Sequence, residues 1–253
     1  DYGWLWFISE LIFQVMQWVH HYVGNWGVAI ILVTVLIKLM FYPLSAKSFR
    51  SMARMRELQP KIAELRKKFG DDRQKLGTAT MELYRKEKVN PLGGCLPMLV
   101  QIPVFIALYW VIMESVELRQ APFFGWLNDL SAPDSSSLFN LFGLLPWANP
   151  TPHSTLALIF IGILPILLGI SMWLQQKLNP APADPVQQQI FAYMPWIFMF
   201  MLGSFASGLV VYWITNNTIT FTQQYLIMRS HGHKPDIFGN IMSSFRKKTD
   251  VKK

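Results

Sequence analysis

Ile190–Met228 reads IFAYMPWIFMFMLGSFASGLVVYWITNNTITFTQQYLIM, 39 residues without a charged side chain. One helix of that length would run about 58 Å, roughly twice the thickness of a bilayer core. The stretch must therefore fold back. Gly203-Ser204-Phe205-Ala206-Ser207-Gly208 supplies the corner, because Gly and Ser break helices and favour turns. Two apolar helices result, over about 189–203 and 207–228.

The rest of the chain repeats this pattern. Val28–Leu44 is interrupted only by Thr34 and Lys38, and Pro91–Met113 and Thr155–Leu174 carry no charge. With the pair above, five spans are predicted, at about 26–45, 91–114, 155–174, 189–203 and 207–228. The composition agrees. Of 253 residues 52% are apolar and 15% charged, with a net charge of +8; soluble domains carry about 25% charged residues. Such hydrophobicity excludes a disordered chain, and the charge blocks argue against an ordinary soluble enzyme. The single Cys95 excludes an internal disulfide and a Cys-based metal cage. The fold class is an all-α polytopic membrane protein.

Five spans place the termini on opposite sides, and the positive-inside rule orients them. Residues 45–90 hold 13 Lys/Arg and 6 Asp/Glu, residues 229–253 hold 7 and 2, and the 175–188 loop adds Lys177 and Asp184. Residues 1–27 hold only Asp1 and Glu10, and the 114–153 loop holds four acids against Arg119. The N-terminus is expected in the periplasm and the C-terminus in the cytoplasm. The chain starts at Asp1 without Met, as expected of a processed or trimmed product.

Residues 1–25 are expected to form an amphipathic helix in the membrane interface rather than a span. Glu10, Gln14, Gln17 and His21 share one stripe, opposite Trp4, Phe7, Leu11, Val15, Trp18 and Tyr22. A sixth span is the alternative. Residues 46–88 read as a cytoplasmic helical hairpin, with helices over Ser45–Phe69 and Asp71–Lys88. Asp71 is the expected cap and Pro60 the expected kink, and the apolar stripes are Met52, Met55, Leu58, Ile62 and Leu65, then Leu76, Met81 and Leu83. With net charge +7, the hairpin is either a solvated positive-inside loop or a surface for anionic lipid, ribosomal RNA or an acidic partner. A basic tail, 229–253, completes the chain.

Lys38 is the first candidate for function. It lies roughly 10 Å inside its span, where no acidic residue in any span can pair with it. Such a cation faces a watery cavity or ligand, unless its stem snorkels to the interface. Thr34 lies one turn away, Gln101 sits between Pro97 and Pro103, and Thr215, Asn216, Asn217, Thr218 and Thr220 cluster in the last span. Together these line a hydrated groove; singly, each is interhelical glue. Pro97, Pro103, Pro165 and Pro195 are expected to loosen their spans. The His residues form no metal-ligand set, no nucleotide-binding loop is present, and no catalytic set is found. Neither a cofactor nor an enzyme activity is expected.

Several segments read together. Gly24-Asn25-Trp26-Gly27, Tyr42-Pro43-Leu44, Leu58-Gln59-Pro60-Lys61-Ile62, Asn90-Pro91-Leu92-Gly93-Gly94-Cys95-Leu96-Pro97, Gln101-Ile102-Pro103, Ser207-Gly208-Leu209-Val210 and Gln223-Gln224 occur in order. This pattern resembles the YidC family of membrane protein insertases (the YidC/Oxa/Alb group) over nearly the whole chain. Gram-negative members carry a further N-terminal span and a large periplasmic domain, so the chain is similar to the insertase core.

The resemblance implies insertion and folding of nascent membrane proteins in the bacterial inner membrane, alone or beside the Sec translocon. It implies a hydrophilic groove open to the cytoplasm and to lipid. The family's groove Arg corresponds to Lys38, which keeps the charge and loses the bidentate fork. The neighbouring Thr corresponds to Thr34, and a substrate-contacting Tyr-Tyr pair corresponds to Tyr212 and Trp213. With Gln101 and Asn216 from the polar residues of the spans, the expected groove set is Lys38, Thr34, Gln101, Tyr212, Trp213 and Asn216. The implied partners are nascent chains, the bilayer, the Sec translocon, the ribosome and the signal recognition machinery, with no small-molecule cofactor. A small-anion carrier or channel using Lys38, and a purely structural scaffold, are the rival readings.

Overall fold

The computed structural model describes residues 6–89, 96–114, 123, 130–134, 136–147, 159, 161–178, 185–230 and 236–246. Every regular element among them is helical. In chain order these are α1 (Trp6–Val23), α2 (Trp26–Met40), α3 (Tyr42–Glu57), α4 (Gln59–Phe69), α5 (Arg73–Lys86), α6 (Leu96–Glu114), a 3-10 turn (Leu138–Gly143), α7 (Ile163–Gln176), α8 (Pro185–Leu202), α9 (Ser207–Ser230) and α10 (Ile237–Arg246). The chain forms two compact units, one from residues 1–40, 102–222 and 236–253, the other from 41–101 and 223–235.

In the first unit, one apolar cluster gathers Ala29, Ile30 and Val33 of α2, Leu108, Val111 and Ile112 of α6, Leu164 and Leu168 of α7, and Leu209 to Tyr212 of α9. α7 meets α8 at Gly169, where an added Cβ would press on Met199. α1 packs on this cluster through Ile12, Met16 and Val19, and Ser9 Oγ donates to the Ala107 carbonyl of α6 at 3.2 Å. The protein-facing stripe of α1 is thus neither of the two stripes read from its sequence. Phe7, Leu11, Trp18 and Tyr22 are exposed together with Trp6, and Trp4 lies outside the described residues. α1 therefore has three faces. One is polar, one is packed, and one is exposed and aromatic, suited to the interfacial zone where Trp and Tyr are stable.

The segment 130–136 organises the starts of two helices. Asp134 Oδ2 accepts from the Leu164 N–H at 2.8 Å, and Ser136 Oγ accepts from the Ile163 N–H at 2.9 Å. Asp134 Oδ1 in turn accepts from the Ser136 N–H and hydroxyl. These bonds satisfy N–H groups that the first turn of α7 leaves without intrahelical partners, and the carboxylate opposes the positive end of the helix dipole. The carbonyls of Ala132 and Leu130 accept from the N–H groups of Ser207 and Gly208 at 2.7 and 2.9 Å, holding the start of α9. A Cβ on Gly208 would come within 3.0 Å of the Leu130 oxygen.

Prolines locate most of the departures from the expected elements. Phe41 separates α2 from α3, because Pro43 cannot donate to the Leu39 carbonyl. The expected single helix from Ser45 to Phe69 is instead two helices, since Pro60 lies in the first turn of α4 and breaks the chain at Leu58. Pro165 and Pro97 lie in the first turns of α7 and α6, where the missing N–H costs nothing, so they loosen neither helix. Pro103 and Pro195 are interior.

The second unit contains the hairpin α4–α5. Gly70, with φ +54°, turns the chain, and the cap is Asp72 rather than Asp71, its Oδ1 accepting from the Lys75 N–H at 3.2 Å. Leu58, Ile62 and Val89 are buried together, backed by Leu83 and Tyr84, while Met81 points outward. Lys61 Nζ and Glu87 Oε1 close the open end at 3.0 Å.

Among the described residues no single helix is long and apolar enough to cross a membrane; only α2 and the first part of α3, taken together across the Phe41 break, reach that length and composition. The apolar helices Leu99–Met113, Ile163–Gln176 and Gln189–Leu202 are short. α9, at 24 residues, is long enough, but Thr, Asn and Gln dilute its second half.

The Asp134 clamp is testable. Asp134→Ala should cost about 0.5–2 kcal/mol, the usual value of a helix cap, and lower the thermal midpoint in detergent by about 2–4 °C per kcal/mol. Gly162→Ala, whose Cβ would collide with the Ser136 carbonyl, should be comparably unstable. An unchanged midpoint for Asp134→Ala would remove the clamp from the account.

Candidate functional site

The sequence-predicted residues fall into two sets. Lys38, Thr34, Tyr212, Trp213 and Asn216 belong to the first unit and Gln101 to the second.

α2 begins at a side-chain cap, with Asn25 Oδ1 accepting from the Gly27 and Val28 N–H groups at 2.9 and 3.2 Å. Trp26 stacks on His20 at 4.1 Å and 8° between planes, fixing the helix entry. Thr34 is 2% exposed, and its hydroxyl donates to the Ile30 carbonyl of its own helix at 2.7 Å. Thr34 is therefore sealed in the apolar cluster with its polar atom satisfied. Lys38, one turn on, is half-buried, and among the described residues it makes no ion pair. The face carrying both residues grades from closed at Thr34 to accessible at Lys38.

α9 sorts its polar residues the same way. The hydroxyls of Thr215, Thr218 and Thr222 donate to carbonyls one turn back, at 2.8 to 2.9 Å. Asn217 Nδ2 donates to Ser171 Oγ of α7 at 3.1 Å, a cross-helix tie. Ser171 was not legible as a partner, because one Ser in an apolar segment carries no spacing signal. Tyr212 is buried, and Asn216 is buried one turn after it. Phe105 of α6 lies 6.3 Å from the Tyr212 ring and meets the Trp213 ring edge-on at 5.2 Å and 88°. The Trp213 Nε1 donor is buried and has no hydrogen-bond partner among the described residues.

An unmet buried donor costs about 1–3 kcal/mol, so it calls for an explanation. In the second unit Gln101 Nε2, Ser48 Oγ and the acceptor Gln223 Oε1 are likewise buried without a hydrogen-bond partner among the described residues. Ser48 carries no signal in the sequence, because a Ser in a basic amphipathic helix is usually solvated, and Gln223 enters it only through the family pattern. No group of three or more His, Cys, Asp or Glu suited to a metal occurs among the described residues.

Residues 18–234 match the family described as 60Kd inner membrane protein. The chain is 64% identical over 253 residues to a protein of Jannaschia sp. (strain CCS1) named Membrane protein insertase YidC, covering 100% of this chain and 40% of that relative. It is 66% identical over 248 residues to a protein of the same name from Dinoroseobacter shibae (strain DSM 16493 / NCIMB 14021 / DFL 12), covering 98% of this chain and 41% of the relative. The chain thus spans about two fifths of the length of the curated relatives it matches. Among solved structures it is similar to one described as "Active YidC insertase crystal structure with the first transmembrane domain resolved", with a TM-score of 0.64 and 26% identity, covering 88% of this chain and 47% of that one.

The Asn217–Ser171 tie is measurable by a double-mutant cycle. Asn217→Ala and Ser171→Ala should couple by about 0.6 kcal/mol and at most about 1.7, the range for hydrogen bonds between membrane helices. Strict additivity in detergent unfolding would show that the bond contributes nothing.

Proposed function

This chain belongs to the 60Kd inner membrane protein family, and from that premise we propose that it is the core of a membrane protein insertase. It takes nascent chains from the cytoplasmic side and delivers their apolar segments into the lipid of the bacterial inner membrane, alone or with the Sec translocon. In this reading the spans are built on α2, α6, α7, α8 and α9, with α1 in the periplasmic interface and the α4–α5 hairpin in the cytoplasm. The distribution of Lys and Arg supports that orientation, 21 on the expected cytoplasmic side against one on the other. The basic hairpin then offers the ribosome and the signal recognition machinery a cationic surface.

The observation that carries the proposal is the gradient along α2, from sealed Thr34 to half-buried Lys38. A cation inside an apolar helix is stable only near water or a ligand. Placed there, Lys38 attracts the acidic tail of a substrate, whose Asp residues would each cost about 2.5–3.5 kcal/mol at mid-membrane. Beyond Thr34 the path is dry, so a translocating tail crosses a shortened barrier instead of an open pore. The driving force is the substrate's own: twenty apolar residues entering lipid gain about 6–12 kcal/mol. Moving a negative charge outward adds about 2.3 kcal/mol per 100 mV. No nucleotide is needed for a process that runs downhill on these terms.

In proteoliposomes, Lys38→Ala should slow insertion of an acidic-tailed substrate about tenfold or more, since tenfold corresponds to only about 1.4 kcal/mol. Lys38→Arg should preserve it, and a neutral-tailed substrate should be spared by both. Full insertion of the acidic substrate by Lys38→Ala would remove the charge from the mechanism. Anion flux that depends on Lys38 without any insertion would convert the reading to a carrier.

A further inference from the structure

α10 is absorbed by none of the above. It starts at a complete cap: Asp236 Oδ1 accepts from the Gly239 N–H at 2.8 Å, and the Asp236 carbonyl accepts from the Asn240 N–H at 2.9 Å. Asn240 Nδ2 then donates to the Lys177 carbonyl at 2.7 Å, which ties α10 to the end of α7. Ile237 and Ile241 are partly covered. Phe238 and Met242, one turn apart, are 82% and 55% exposed.

The helix is thus held in place while an apolar stripe stays uncovered. The charges around it are mainly basic. Lys234 precedes it, Arg246 ends it, and Lys247, Lys248, Lys252 and Lys253 follow, against Asp236 and Asp250. Lys177, at the anchoring point, lies over the Trp173 ring at 5.3 Å, and burial lowers its pKa.

We propose that α10 lies in the cytoplasmic membrane interface, with Phe238 and Met242 in the acyl boundary and the flanking Lys and Arg residues on anionic lipid headgroups. Two features together select a lipid surface. Basic residues alone would suit RNA equally, but an apolar Phe–Met stripe running along one helix face is what an acyl boundary buries. An anionic bilayer takes both at once, the apolar stripe by burial and the lysines by charge. Asn240 sets the height: its bond to Lys177 fixes α10 at the end of a helix read as a span. The inference rests on the cytoplasmic placement of the C-terminus proposed above.

The test uses the whole chain carrying Cys95→Ser, with bimane on Met242→Cys, reconstituted in phosphatidylcholine vesicles with or without phosphatidylglycerol. Doxyl lipid should quench the label strongly in the anionic vesicles. Quenching should fall about twofold or more in neutral vesicles, as expected for a charge-dependent contact. It should fall as far with Phe238→Ser, or with Lys247→Glu and Lys248→Glu together. Quenching by iodide but not by doxyl lipid in anionic vesicles would overturn the proposal. So would protection that appears only when ribosomes are added, which would assign α10 to RNA. If the orientation is wrong instead, the unlabelled Met242→Cys thiol will react with an impermeant reagent from outside intact spheroplasts. If only the lipid contact is wrong, it will react in inside-out vesicles and the label will stay unquenched.

Discussion

A cation carried on an apolar helix sets the terms for the rest of this molecule. Lys38 cannot be neutralised within its own helix, which carries no acidic residue. The surrounding helices must leave it near water while keeping the remainder of α2 dry. Packing achieves the second half of this, with Ile30 and Val33 in one continuous cluster with residues of α6 and α9, and with Thr34 buried one turn before Lys38. The first half is met by stopping that cluster before Lys38. The same constraint bears on α9: it is the longest helix among the described residues, its second half is diluted by Thr, Asn and Gln, and several of these bond within the protein.

The opposite end of the cluster is closed by a different device. Residues 130–136 provide a carboxylate and a hydroxyl for the start of α7 and two carbonyls for the start of α9. Helix starts buried away from water leave N–H groups unpaired, at several kcal/mol each in an apolar medium. One short segment that answers two helices fixes their spacing as well as their hydrogen bonds. Gly208 completes it by admitting a backbone carbonyl where a side chain would stand. On the proposed topology this closure faces the periplasm and the open end faces the cytoplasm.

Local signals were legible in the sequence, and long-range choices of partner were not. The Gly/Ser corner between α8 and α9, the sided distribution of charge and the alternation of polar and apolar segments need only the chain in front of the reader. The breaks at Phe41 and Leu58 were written in Pro43 and Pro60, but a proline marks a stop, a kink or a permitted first turn depending on where the next helix starts. The face that α1 presents to the protein is written in neither of its two stripes. A helix between lipid, water and protein has three environments, and a two-stripe analysis cannot tell the exposed apolar face from the packed one. The Asp134 clamp joins residues about 30 apart, and the Asn217–Ser171 bond joins residues 46 apart. No periodicity reports such pairs.

What remains unpaired narrows the chemistry further. Once the threonine hydroxyls have turned back on α9 and Asn217 has found Ser171, Trp213 Nε1 is left as a buried donor in the first unit. Lysine and indole donate and cannot accept. A tyrosine at 213, as the family resemblance implies for relatives, would do both. On the proposed reading, Lys38 and the Trp213 indole offer donors, which suit ligands rich in acceptors, namely carboxylates and exposed backbone carbonyls. An unfolded acidic tail presents both kinds of acceptor along its length. Such a tail need not match any one geometry, because each donor meets a new carbonyl as the chain advances. On that reading the exchange of Tyr for Trp trades a two-way hydrogen bond for a larger apolar face against Phe105.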